Sequence, residues 1–236
     1  MIYNPWHGCH KISPGCLNCY VYRMDERYQK DSSIVERTQQ FDLPIRKHKD
    51  GSYVMANTEI IYTCFTSDFF VEEADEWRKD VYAYIKERQD CHFLIITKRI
   101  DRFDVSLPDD WNDGYPNVSI CCTVENQAMA DYRLPLFLKA PIKHKQIICE
   151  PLIDSIDLSQ YLDKSIEAVI VGGESGPNSR VCDYSWVMHI REACIQKGIP
   201  FHFKQTGRWL RKDNHDYFIA RKFQMIQAKK ANIDWP

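Results

Sequence analysis

His92-Phe93-Leu94-Ile95-Ile96-Thr97-Lys98-Arg99 is the stretch whose reading decides the fold. Four large apolar residues follow one another with no polar position between them, and the chain then turns abruptly polar. A strand with one face in water alternates. A continuous run suits a strand covered on both faces, which points to a parallel sheet packed between helices. Related runs occur at Glu59–Thr66, Val118–Thr123, Gln146–Cys149, Ala168–Val171 and Pro200–Lys204, with a short strand expected at Ile2–Trp6. Helical candidates lie between them. Glu72–Arg88 sets Ala74, Trp77, Val81, Tyr84 and Ile85 at helical spacing; Gln127–Leu138, Ser159–Ser165 and Ser185–Lys197 follow, the last with Ser185 as N-cap and Gly198 as C-cap. Strand–helix alternation implies right-handed βαβ units. The expected fold class is therefore α/β, a partial or near-complete parallel (β/α) barrel of about six to seven strands with an N-terminal cysteine loop. Residues 1–207 form the barrel, 31–58 read as an insertion or lid, and 208–236 as a helical tail centred on Tyr217–Lys230.

Composition narrows the class. The chain has 236 residues, 44% hydrophobic and 27% charged, enough to bury a sizeable core. Its net charge is -2, from 31 basic and 33 acidic side chains, which argues against gripping long duplex DNA through phosphates. The opening MIYNPWHGCH has neither the basic region nor the apolar run of a signal peptide, and no apolar stretch nears the roughly 20 residues a membrane span needs. A cytoplasmic protein with reduced thiols and no membrane partner is expected. Of its ten cysteines, Cys64, Cys121, Cys122 and Cys149 fall in expected strands and read as small buried hydrophobes.

Three cysteines stand apart. Cys9, Cys16 and Cys19 lie within eleven residues, among Gly8, Pro14 and Gly15, whose turns let the thiols converge. Cys16 and Cys19 form a C-x-x-C pair suited to one metal or cluster. The spacing alone leaves three readings open: a [4Fe–4S] cluster with one free iron, a zinc site completed by His7 or His10, or reduced structural thiols.

In a parallel barrel the functional face lies at the C-terminal strand ends. Those ends read Thr66-Ser67-Asp68, Thr97-Lys98-Arg99, Thr123-Val124-Glu125-Asn126, Glu150-Pro151, Gly172-Gly173-Glu174-Ser175-Gly176 and Lys204-Gln205-Thr206-Gly207. Six successive ends carry groups suited to a charged, hydroxyl-rich ligand. The glycine-rich turn at 172–176 lets backbone N–H groups approach a ligand, and Glu174 can hold an ammonium or ribose hydroxyls. There is no G-x-G-x-x-G fingerprint, no P-loop, no H-E-x-x-H and no G-x-S-x-G, so nucleotide-hydrolysing and hydrolase motifs are absent.

Taken together, G-C-x5-G-C-x-x-C-Y, T-S-D-F-F, I-T-K-R and E-P-L-I resemble the radical S-adenosylmethionine (SAM) enzymes, in particular the spore photoproduct lyase-like branch. Over nearly the whole chain, N-P-W-x-G-C (Asn4–Cys9), V-G-G-E-S-G (Val171–Gly176) and F-K-Q-x-G (Phe203–Gly207) resemble an uncharacterised phage-associated three-cysteine family. The resemblance implies a barrel of the radical SAM type, with a [4Fe–4S] cluster on Cys9, Cys16 and Cys19 and SAM on the fourth iron. It implies reductive cleavage of SAM to a hydrogen-abstracting radical, fed by a reductant such as flavodoxin or ferredoxin. It carries cofactor contacts to Thr66, Ser67, Asp68 and Lys98, with Glu125, Glu150, Gly172, Gly173 and Glu174 as further cofactor-side positions. Arg180, Lys204 and Gln205, with Arg208, are assigned to an anionic or nucleobase substrate, against which Trp6, Phe70 and Trp209 would stack. No catalytic side chain is assigned. Three departures stand out: six residues separate the first two cysteines where the usual spacing is C-x3-C-x2-C, Asn18 occupies a position that is often aromatic, and the Gly-Gly-Glu run comes late.

Overall fold

The structure, a computed structural model, describes residues 1–57 and 60–236. Thr58 and Glu59, the expected end of the insertion and start of a strand, lie outside the described residues. The chain packs as two units. The first comprises Met1–Lys11, Val21–Cys121 and Ala140–His144, and the second Ile12–Tyr20, Cys122–Lys139 and Lys145–Pro236.

The first unit holds β1 (Ile2–Tyr3), β2 (Trp6–His7), α1 (Tyr20–Arg27, from Val21), β3 (Glu36–Arg37), β4 (Ile61–Thr63), α2 (Asp75–Glu87), β5 (Phe93–Thr97) and the start of β6 (Val118–Thr123). β1 pairs parallel with β4 and β4 with β5, while β2 and β3 pair antiparallel. Every residue of β6 is buried, as a strand covered on both faces requires. α2 turns Arg78, Val81, Tyr82 and Ile85 inward, so the expected stripe is shifted: Trp77 and Tyr84 are half-buried. The reason is Arg78, fully buried and donating to the carbonyls of Phe69 (2.8 Å) and Val71 (3.3 Å), which hydrophobic periodicity cannot anticipate. The expected insertion holds β3 and a tight turn at 48–52 closed by a Lys47–Tyr53 bridge.

The second unit takes β6 from Cys122 and adds α3 (Gln127–Lys139), β7 (His144–Cys149, from Lys145), β8 (Ile166–Gly172), β9 (Val181–Asp183), α4 (Tyr184–Lys197), β10 (Phe201–Gln205), β11 (Trp209–Lys212), β12 (His215–Phe218) and α5 (Arg221–Ala231). β7, β8 and β10 pair parallel in that order. Among the described residues, seven strands run in the order β1-β4-β5-β6-β7-β8-β10, matching the expected α/β class and strand number. α4 is capped by Asp183, whose carboxylate accepts from Ser185 N–H, so the N-cap falls two residues before the expected Ser185, and the helix ends as expected at Gly198, with φ 68°.

One expected helix fails, and the expected tail helix is shortened at its start. Ser159–Ser165 is a series of turns, because Asp157 and Asp163 accept from the N–H groups of Ser159 and Ser165 and so compete with helix formation. The tail is helical only over α5, and Tyr217 belongs to a strand. Asp213 and Asn214, at φ 52° and 59°, form the two-residue turn between antiparallel β11 and β12. α1 went unforeseen because only Val21 and Asp25 are buried in it.

Candidate metal centre and strand-end carboxylates

The cysteines divide sharply by exposure. Cys9, Cys16 and Cys19 are intermediate, and the other seven, Cys64, Cys121, Cys122 and Cys149 among them, are buried as expected. Burial pushes Cys182 and Cys194 up to about 12 and Cys64 and Cys149 well above the thiol's usual value, so these four are protonated core groups.

In the first unit, the loop bearing Cys9 sits on the end of β4. Gly8 N–H donates to Thr66 O (3.1 Å), Ser67 Oγ donates to Gly8 O, and Cys9 N–H donates to Ser32 O (2.7 Å). Gly8 has φ 92°, and a Cβ there would fall 2.0 Å from Ile34 O, so only glycine lets the loop pass. Asp68 is buried. Its carboxylate accepts from Phe70 N–H (3.0 Å), Thr97 Oγ1 (2.8 Å) and Lys98 N–H (2.9 Å), and it pairs with Arg99 at 3.5 Å. Thr66, Ser67, Asp68 and Lys98 are thus brought together around the Cys9 loop, with Asp68 committed to internal donors. Arg99, at the strand end Thr97-Lys98-Arg99 but given no role by the sequence, places Nη1 3.4 Å from Cys9 Sγ and donates from Nη2 to His10 O at 2.8 Å. His10 Nε2 meets Glu73 at 2.5 Å; burial raises the Glu73 carboxyl, but the His10 hydrogen bond, a backbone hydrogen bond and the nearby His10 and Arg99 charges together hold the group below its usual value.

In the second unit, the C-x-x-C loop rests on two other strand ends. Pro14–Cys16 is a turn of 3-10 helix, with Ser13 Oγ 3.7 Å from Cys16 Sγ. Gly15 N–H donates to Glu125 Oε1 at 3.0 Å, and a Cβ on Gly15 would lie 2.9 Å from Glu125 Cδ. Glu125, fully buried, pairs with Arg133 at 2.7 Å. Beyond the Cys16–Cys19 turn, Asn18 Nδ2 donates to Glu174 Oε2 at 3.0 Å, and Arg180 Nη1 donates to Pro14 O at 3.0 Å. Glu174 also takes Arg180 N–H, Nε and Nη2. Burial raises its carboxyl, but the Arg180 and Asn18 hydrogen bonds prevail and hold it below the usual value. Glu150 accepts from Lys204 Nζ (2.7 Å) and Gln205 Nε2 (2.6 Å), and its side chain packs against Gly172. Gly173 receives no side chain because Thr206 O would lie 2.3 Å from its Cβ.

The residues assigned to the cofactor and substrate therefore act first on one another. Glu125, Glu174 and Arg180 hold the C-x-x-C loop, and Lys204 and Gln205 hold Glu150. Asn18, where the resembled family often has an aromatic residue, supplies an amide that an aromatic ring cannot. Trp6 and Phe70 are fully buried, Trp6 with its Nε1–H on Asp68 O (3.1 Å), so neither can stack on a base; Trp209 remains half-exposed.

Among the described residues, no group of three or more His, Cys, Asp or Glu side chains is gathered into a metal-ion site. The exposed sulfurs are of the kind that ligates metals and clusters: in the first unit Cys9 lies beside the Arg99 guanidinium, and in the second Cys16 and Cys19 share the C-x-x-C turn. Among the described residues, no helix is long and apolar enough to cross a membrane.

An α/β protein whose strand ends secure cysteine-bearing loops is the class these features define. Over residues 1–233 the chain matches the family described as Protein of unknown function (DUF5131), and it belongs to that family. No curated protein and no solved structure matches it.

Proposed function

We propose that the protein is a radical SAM enzyme. The observation that carries this reading is the coincidence of sequence clustering and exposure: of ten cysteines, the three not buried are the three packed within eleven residues. Cys9, Cys16 and Cys19 would hold a [4Fe–4S] cluster, which when bound supplies the electron that cleaves SAM. The rest of the chain orients these thiols. Thr66, Ser67 and Arg99 fix the Cys9 loop, and Glu125, Glu174, Asn18 and Arg180 fix the C-x-x-C loop. SAM contacts stay assigned to the strand-end residues by resemblance. The proposed substrate is a nucleotide or nucleic-acid base, the proposed reductant a flavodoxin or ferredoxin, and the proposed compartment the cytoplasm.

The test is anaerobic reconstitution with iron and sulfide. The protein should turn brown, bind both elements, and release methionine and 5′-deoxyadenosine from SAM on reduction with dithionite. Cys16→Ser should abolish iron uptake while leaving the thermal midpoint within a few degrees, since Cys16 is not a core residue. Colourless protein holding stoichiometric zinc would sink the proposal. One observation favours that second reading, a zinc-stabilised interaction module: His10, next to Cys9, is held by Glu73 in the carboxylate–histidine pairing common behind zinc ligands. Elemental analysis separates the two.

A further inference from the structure

We propose that Arg99 is a positioning residue that clasps the Cys9 sulfur and raises the reduction potential of the iron–sulfur cluster ligated there, an inference that rests on the radical SAM reading. Arg99 is 6% exposed. Its guanidinium spans three anchors in the first unit: Cys9 Sγ at 3.4 Å, His10 O at 2.8 Å and Asp68 Oδ2 at 3.5 Å. The backbone is fixed as well, with Arg99 N–H on Thr97 Oγ1 (2.8 Å), while Thr97 Oγ1 itself donates to Asp68. Cys9 is held from its other side, its N–H on Ser32 O and its carbonyl accepting from Tyr22 OH. The cationic fork is therefore built into the fold and aimed at a sulfur.

Reduction adds negative charge to a cluster, and part of that charge resides on its thiolate ligands. A buried cation donating to one of them stabilises the reduced form more than the oxidised form, so the potential rises. Lysine would keep the charge and lose the planar fork that reaches sulfur and carbonyl together.

The experiment measures iron and sulfide content and the cluster midpoint potential of anaerobically reconstituted full-length protein. The variants are Arg99→Gln, Arg99→Lys and, as a control, Arg102→Gln, whose arginine pairs with Asp75 from the same short 3-10 turn. Arg99→Gln should retain iron, with the reduced-to-oxidised ratio at a fixed solution potential falling about tenfold, or about 59 mV for one electron. Arg99→Lys should fall by less, and Arg102→Gln should match wild type. If Arg99→Gln fails to load, Arg99→Lys decides: a potential below wild type supports the proposal and an unchanged one overturns it. A loaded Arg99→Gln protein with wild-type potential overturns this inference alone. Wild-type protein that takes up no iron or sulfide overturns the radical SAM reading and this inference with it.

Discussion

Glu174 shows how one side chain serves several neighbours. It is buried, yet it receives Asn18, the Arg180 backbone and two guanidinium nitrogens, and so remains ionised against the cost of burial. Its folded-state value is depressed, so its contribution to stability is present above the usual glutamate value of 4.5 and is lost as pH falls through the folded value. Glu174→Gln should therefore lower the thermal midpoint at neutral pH, by about 1–3 kcal/mol of stability for a weakened charged hydrogen-bond set. The gap to wild type should close as the scan is repeated at progressively lower pH below that range; a gap independent of pH would refute the assignment. Gly15 makes a second residue-scale case. Gly15→Ala drives a methyl into Glu125, and overpacking of this kind costs about 1–3 kcal/mol. Urea melts should show that loss, together with poorer iron uptake, because the same loop carries Cys16.

At the scale of elements, the sequence disclosed what depends on apolar continuity and hid what depends on polar atoms. β5 was legible because its run has no polar interruption, and β6 because only Ser119 breaks its run; the burial of both is nearly complete. The strand-end positions Lys98 and Glu125 followed directly from them, and Thr66–Asp68, Glu150 and Glu174 from the apolar runs of β4, β7 and β8. What these carboxylates hold was not legible: Asn18 and Gly15 come from a stretch more than a hundred residues from Glu174 and Glu125, and Arg133 and Arg180, though only 8 and 6 residues away, carry no pattern that marks them as ion-pair partners. The stripe of α2 was misread for the same reason, Arg78 being a charged residue with a core position. Replacing it by Met should cost about 2–4 kcal/mol in chemical denaturation, because the Phe69 and Val71 carbonyls lose their buried donor. The tail was misread because Asp213-Asn214 is a less familiar hairpin turn than Asp-Gly. Asn214→Gly should stabilise by up to about 1 kcal/mol, since Asn214 holds φ 59°.

For the whole molecule, the cysteine pattern gives a direct count. Under native reducing conditions in the absence of metal, a thiol reagent should modify Cys9, Cys16 and Cys19 quickly and the seven buried cysteines only after unfolding. Peptide mass mapping reads the result, and rapid labelling of Cys121 or Cys122 would contradict the buried β6. Loading with iron and sulfide should then protect the three fast sites.

The β11–β12 turn has a practical corollary. Residues 211–218 are all exposed, and the two strands are joined by only Asp213 and Asn214. Such a tip accepts extra chain at little thermodynamic penalty. A short epitope or a dye-labelling sequence spliced between Asp213 and Asn214 would report on the folded protein from a position remote in sequence from every cysteine of the N-terminal loop.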